Sequence, residues 1–215
     1  VERAENTLGQ RGSVGVGIPG AESLSTGLIK NANSTCLIGK PLKRDLQALL
    51  QREVRLANDA NCFALSEAVD GSGQDARIVF GIILGTGVGG GIVINRQVVT
   101  GANAIAGEWG HNPLPLPSGD DLPLPACYCG RTGCVETYLS GPALAADHLR
   151  HTGQMLSASE IDRLAASGDA ACEASLCRYE ERLGRALAGV INLLDPEVIV
   201  IGGGLSKMQR LYQNL

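Results

Sequence analysis

Two short stretches, Glu108-Trp109-Gly110-His111 and Cys127-Tyr128-Cys129-Gly130-Arg131-Thr132-Gly133-Cys134-Val135-Glu136, place one imidazole and three thiols between two carboxylates. Zinc takes this kind of nitrogen and sulfur set in a tetrahedron. The glycines inside the cysteine loop let the backbone wrap tightly enough to bring Cys127, Cys129 and Cys134 to one ion, with His111 as the fourth ligand. A zinc held by four protein ligands has no open position, so it would organise the fold and not activate water. Free thiols without metal are the alternative reading of the same residues.

Three further groups could do chemistry. In Leu84-Gly85-Thr86-Gly87-Val88-Gly89-Gly90-Gly91, glycines would let backbone N–H groups converge on phosphate oxygens and Thr86 adds a hydroxyl donor. A tight hairpin accounts for the same string, which matches neither a P-loop nor a dinucleotide fingerprint. In Asn58-Asp59-Ala60-Asn61, Asp59 reads either as a helix cap or as a carboxylate able to take a proton from an attacking hydroxyl. Val198-Ile199-Val200-Ile201 runs into Gly202-Gly203-Gly204, a turn open enough for a flat base or ribose, or simply a strand-to-helix turn.

The elements that must position these groups alternate between strand and helix, an α/β pattern. Strands are expected at Ser13–Ile18, Val54–Leu56, Ile78–Leu84 and Gly91–Ile94, with Asn95-Arg96 turning into Val98-Val99, and at Val198–Ile201. Gly85–Gly90 reads as a glycine loop. Helices are expected at Arg44–Glu53, with Leu46, Leu49 and Leu50 as the buried stripe, and at Ala60–Ala68, capped by Asp59. Further helices fall at Pro142–Leu149, at Ser157–Ala166 with a Ser157/Glu160 capping box, and at Ala170–Leu194, ended by Asp195-Pro196. The Gly/Ser/Asp-rich stretch 70–76 divides a small lobe, 1–72, from a larger one, 73–215.

Composition limits the partners. The 215 residues carry a net charge of −4, which disfavours a nucleic-acid or anionic-membrane surface. No apolar run reaches membrane-spanning length, and the N-terminal residues lack a signal-peptide pattern. Seven cysteines, an odd count, suit thiols and metal ligands in a reducing cytoplasm. Cys36, Cys62, Cys172 and Cys177 are read as buried or half-buried thiols, and His148 and His151 as solvent-facing at a helix end.

Taken in order, Asn58-Asp59, Gly85-Thr86-Gly87, Glu108-x-Gly110-His111 and Cys127-x-Cys129-Gly130-x-x-Gly133-Cys134-x-Glu136 resemble the ROK family of sugar kinases and regulators, over nearly the whole chain. The stretches Gly12–Gly20, Lys30–Thr35, Arg52–Asn61 and Ala106–Pro115 look most like bacterial fructokinases. The resemblance implies a two-lobed α/β sugar kinase of the actin-like ATPase (ribonuclease H-like) type, here incomplete at both ends, since the family's Asp-x-Gly-Gly-Thr hairpin is missing. It implies Asp59 as general base, and Gly20, Asn33, Asn58, Glu108, His111 and Glu136 as sugar-binding residues. It implies Gly85, Thr86, Gly87, Gly203 and Gly204 at ATP, with magnesium accompanying ATP and structural zinc on His111, Cys127, Cys129 and Cys134. Fructose is the favoured hexose; N-acetylglucosamine, glucose and mannose are alternatives, and a homodimer is implied for the full-length form. The rival functions are a sugar-responsive transcriptional repressor and a non-catalytic sugar- or zinc-binding fragment. Trp109 is assigned to packing over stacking on a sugar.

Overall fold

The computed structural model describes residues 1–32 and 34–214, so the expected sugar residue Asn33 lies outside the described residues. Its centre is a four-stranded sheet. Strands β5 (Ile78–Leu84) and β6 (Val88–Ile94) form an antiparallel hairpin, with Gly81 opposite Gly91 and Leu84 opposite Val88. The strand numbering starts from β1 (Val14–Ile18), β2 (Ala21–Glu22), β3 (Ile29–Lys30) and β4 (Val54–Asn58). Strand β7 (Gln97–Val98) extends the hairpin on one side, and β8 (Val198–Gly202) runs parallel to β5 on the other, giving the order β7-β6-β5-β8. The smaller region pairs β1 with β4 in parallel, and β2 with β3 antiparallel.

Strand alternation gives the large sheet two different faces. Phe80, Ile82 and Leu84 point to a core shared with α5 (Gly141–Thr152), α6 (Ala158–Ala166) and α7 (Ala170–Leu194). Val79, Val93 and Val200 point the other way, to Ala64 and Ala68 of α3 (Asp59–Asp70). Three helices precede or separate these, α1 (Glu2–Leu8), α2 (Leu42–Leu50) and α4 (Glu136–Leu139).

Helix α3 sits unusually close to the sheet because glycines face it. A Cβ on Gly91 would lie 2.8 Å from the Ala60 carbonyl oxygen and from Ala64 Cβ, and one on Gly81 would lie 2.7 Å from Ala64 Cβ. The glycine loop expected over 85–90 is therefore only Gly85–Gly87. Residues from Val88 onward are already strand, and their glycines serve helix and tryptophan packing.

Other expectations shift for identifiable reasons. Helix α3 is capped by Asn58, whose Oδ1 accepts from Asn61 N–H at 3.0 Å; Asp59 is the first helical residue, not the cap. Helix α2 stops at Leu50 because Gln51 takes a left-handed conformation (φ 50°), and Leu49 is 78 % exposed, outside any buried stripe. Strand β8 is at the sheet edge, so only Val200 and Gly202 along it are buried. His148 is fully buried, because Leu144, Asp147 and His148 form the inner face of α5, and its Nδ1 lies 3.0 Å from Ser175 Oγ. Of the four cysteines read as buried or half-buried, Cys172 is buried, whereas Cys36, Cys62 and Cys177 are exposed. Cys62 falls outside the Ala60, Ala64, Ala68 stripe that α3 buries. His151 remains at the surface, as expected.

Between α5 and α7 lies a buried ionic cluster. Arg182, 3 % exposed, donates to Asp121 at 2.8 Å and to Asp147 at 2.9 Å. Arg178 and Arg185 add bonds to Asp147 and Asp121 at 2.8 Å each. Burial pushes both carboxyls up, but the backbone N–H of Ser118 with Arg182 and Arg185 at Asp121, and Arg178 with Arg182 at Asp147, outweigh it and hold both below the usual range. Asp121 is in the loop leading to Cys127, so this cluster fixes the base of the cysteine segment.

Candidate active site

Several parts of the chain meet at one small cleft of ≈ 140 Å³. The Pro19-Gly20 turn and the start of α3 form one side; the β5–β6 hairpin turn, the 108–111 segment and Glu136 form the other.

On the first side, Asn58 links two elements. Its Oδ1 caps α3, and its Nδ2 donates to the Gly20 carbonyl oxygen at 3.1 Å. Gly20 has φ 80° and lies against the 30–32 backbone, a position closed to a side chain. Asp59 follows at the first turn of the helix, where the helix dipole favours a carboxylate. Its Oδ1 accepts from Ala60 N–H at 2.8 Å, leaving Oδ2 for a ligand.

On the second side, the segment from Gly107 to Gly110 is pressed onto β6. Trp109 is 4 % exposed, donates to the Gly89 carbonyl oxygen at 2.8 Å and meets Phe80 edge-on with ring centroids 5.8 Å apart. It is a packing residue, as expected, and pinning it turns its neighbours Glu108 and His111 to the cleft. Glu108 is half-buried. Desolvation by burial raises its pKa, opposed by His111 and Lys30 and reinforced by the carboxylates of Asp59 and Glu136. Glu136 begins α4, and its Oε2 accepts from Val88 N–H at 2.9 Å, tying the cysteine segment to the hairpin turn.

The four proposed metal ligands do come together. The ligand atoms of His111, Cys127, Cys129 and Cys134 all lie within 4.8 Å of one another, with Cys127 Sγ 3.6 Å from His111 Nδ1 and Cys129 Sγ 3.7 Å from Cys134 Sγ. Bonds of about 2.0–2.3 Å in a tetrahedron put zinc ligands about 3.3–3.8 Å apart, so this set fits zinc. Nδ1 faces the thiols, which leaves Nε2 for the cleft. There it meets Tyr128 Oη at 3.1 Å.

Of the sequence-predicted residues, Gly20, Asn58, Asp59, Thr86, Gly87, Glu108, His111 and Glu136 line the one cleft. Gly85, Gly203 and Gly204 lie off its lining. The Gly85 carbonyl oxygen accepts from Gly141 N–H at 2.7 Å, and Gly203, with φ 86°, packs on the backbone of Leu84, so the two glycine turns are adjacent. Two residues were missed. Asn31 and Tyr128 line this cleft and also the larger cavity beside it. Tyr128 was legible as the residue between two metal-ligand cysteines. Asn31 falls inside the family-like stretch Lys30–Thr35, where Asn33 is the residue expected to meet the sugar, and it adopts the left-handed conformation that Asn tolerates, φ 55°.

A small polar cleft with a cysteine–histidine cluster in one wall, on this α/β frame, is the arrangement of an actin-like sugar kinase. The ROK family profile matches residues 1–215, and the chain belongs to that family. The N-acetyl-D-glucosamine kinase of Salmonella typhimurium is 45 % identical over 219 residues, covering 100 % of this chain and 72 % of the relative. A ROK hexokinase from Thermus thermophilus superposes with a TM-score of 0.85 at 34 % identity, covering 100 % of this chain and 70 % of that one. A ROK glucokinase from Streptomyces griseus, in complex with glucose and AMPPNP, gives 0.76 at 27 % identity, covering 98 % and 73 %. A ROK transcriptional regulator homologous to the E. coli MLC protein gives 0.80 at 27 %, covering 99 % of this chain and 56 % of that one. No helix among the described residues is long and apolar enough to cross a membrane.

Proposed function

We propose that this protein transfers the γ-phosphoryl group of ATP to a hexose hydroxyl in the cleft at Asp59. The observation that carries this is the placement of Asp59, with one free carboxylate oxygen, across a single small cleft from Glu108, His111 and Glu136. Asp59 accepts the hydroxyl proton as the sugar oxygen bonds to phosphorus and the bond from phosphorus to the bridging oxygen breaks, releasing ADP. Asn58, Gly20, Glu108, His111 and Glu136 hold the remaining hydroxyls. Thr86 and Gly87 at the hairpin turn face the phosphates, with Gly203–Gly204 on the adenosine side and magnesium accompanying the nucleotide. Zinc on His111, Cys127, Cys129 and Cys134 would set the direction of the His111 ring and leave Nε2 facing the cleft. The cleft then lies between the small lobe, 1–72, and the large lobe, 73–215.

The relatives weight the choice of sugar toward N-acetylglucosamine over the fructose favoured by the sequence stretches. A coupled assay of ADP release by the intact protein with N-acetylglucosamine, glucose, mannose and fructose is the direct test. ATP-dependent turnover of one of them is expected, with N-acetylglucosamine first. Absence of turnover with all four would remove the kinase reading in favour of the sugar-responsive regulator, which the fold equally accommodates.

A further inference from the structure

The sugar cleft opens beside a second cavity, larger and of different character. It measures ≈ 630 Å³ against ≈ 140 Å³, and its walls include Ile105, Trp109, Leu193 and Leu194. Asn31, Glu108, His111 and Tyr128 line both, so the two spaces adjoin along these residues. Tyr128 is 70 % exposed, with its ring edge-on to His111 at 5.2 Å between centroids and its Oη 3.1 Å from His111 Nε2.

A phenol has both an O–H donor and acceptor lone pairs, so Tyr128 Oη, 3.1 Å from His111 Nε2, can offer its own proton to a ligand acceptor at the junction of the two cavities. A free hexose fills a small polar cleft and presents only hydroxyls there. An amide substituent presents a carbonyl oxygen, an acceptor, followed by an alkyl group that gains from leaving water for an apolar wall.

We infer that Tyr128 is a specificity-determining residue and that the larger cavity is an acyl subsite, taking N-acyl chains longer than acetyl on an amino sugar. The inference rests on the sugar-site reading above. Tyr128 donates to the amide carbonyl, and the chain beyond it lies along Ile105 and Leu194.

The test is a series of N-acetyl-, N-propionyl- and N-butyrylglucosamine with glucose as reference, on the intact wild-type protein and on Tyr128→Phe, which keeps the ring. Wild-type kcat/KM for the propionyl and butyryl sugars should stay within about tenfold of the acetyl value. Tyr128→Phe should reduce the ratio of N-acyl sugar to glucose in kcat/KM by about tenfold, the worth of one hydrogen bond. An unchanged ratio, or loss of about a hundredfold on going from acetyl to propionyl, overturns the inference. Calorimetric titration of the same sugars separates this from the kinase reading, since it needs no turnover. N-acyl sugars that bind and weaken on Tyr128→Phe without being phosphorylated would sink the kinase and keep the subsite.

Discussion

The two walls of the cleft are held in place by opposite means. On the Asp59 wall the position is set by missing side chains: Gly81 and Gly91 let α3 lie almost on the backbone of the hairpin, and Asn58 fixes where the helix begins. On the facing wall the position is set by side chains. Buried Asp121, Asp147 and Arg182 anchor the loop below Cys127, the cysteines close around His111, and Glu136 clips the loop to Val88. The first wall depends on the absence of side chains; the second depends on ion pairs and on the packing of the cysteine loop.

Substitutions can break this contrast in order of size. Asp59→Asn should lower kcat by two to four orders of magnitude, about 3–5 kcal/mol in the barrier, with sugar affinity largely retained, as steady-state kinetics and titration would show together. Asp147→Asn should cost about 3 kcal/mol in denaturant unfolding, because Arg178 loses its carboxylate partner and buried Arg182 is left with the Asp121 carboxylate alone. The same carboxyl sets an acid limb. Its folded pKa is below the unfolded value, so its contribution is complete above about pH 4 and is lost as pH falls through the folded pKa. The fall of the wild-type melting temperature below about pH 4 should therefore be shallower in the variant.

Cys129→Ser should lower bound zinc, measured by metal analysis, and weaken sugar binding with it by about tenfold, since the ligands orient His111. Sugar binding that survives metal loss unchanged would uncouple the two. Gly91→Ala should cost about 1–3 kcal/mol and displace Asp59, lowering kcat at unaltered zinc content; equal losses of zinc and rate would show that the walls are not independent. As the smallest effect, Gly184→Ala in α7, whose added Cβ meets nothing within 4 Å, should raise stability by about 0.5–1 kcal/mol and leave the kinetics alone.

Much of this arrangement was readable from residue order, and what was not has a common cause. Periodicity and caps gave α7 and β5 with the observed bounds, and the Ser157/Glu160 box that opens α6. The cysteine–histidine cluster was legible because ligand chemistry is local along the chain. Readings failed where a residue's meaning came from its partner in space. Asn58 and Asp59 are both competent caps, and only the bond from Asn58 to the Gly20 carbonyl oxygen makes Asn58 the one that turns the chain. Gly89–Gly91 look like phosphate-loop glycines until α3 and Trp109 are seen against them. His148 looks like a surface residue at a helix end until α7 supplies Ser175 beside it.

Glu136 carries one more implication. Its Oε2 is bound to the backbone of the hairpin turn, while the residue faces the same cleft as His111. If a ligand that engages this carboxylate draws it from the Val88 N–H, the turn on which Thr86 sits loses that anchor, and a ligand seated on the turn would be felt at the carboxylate. In that case occupancy of the two halves of the cleft would be linked, each changing the affinity of the other by the same factor.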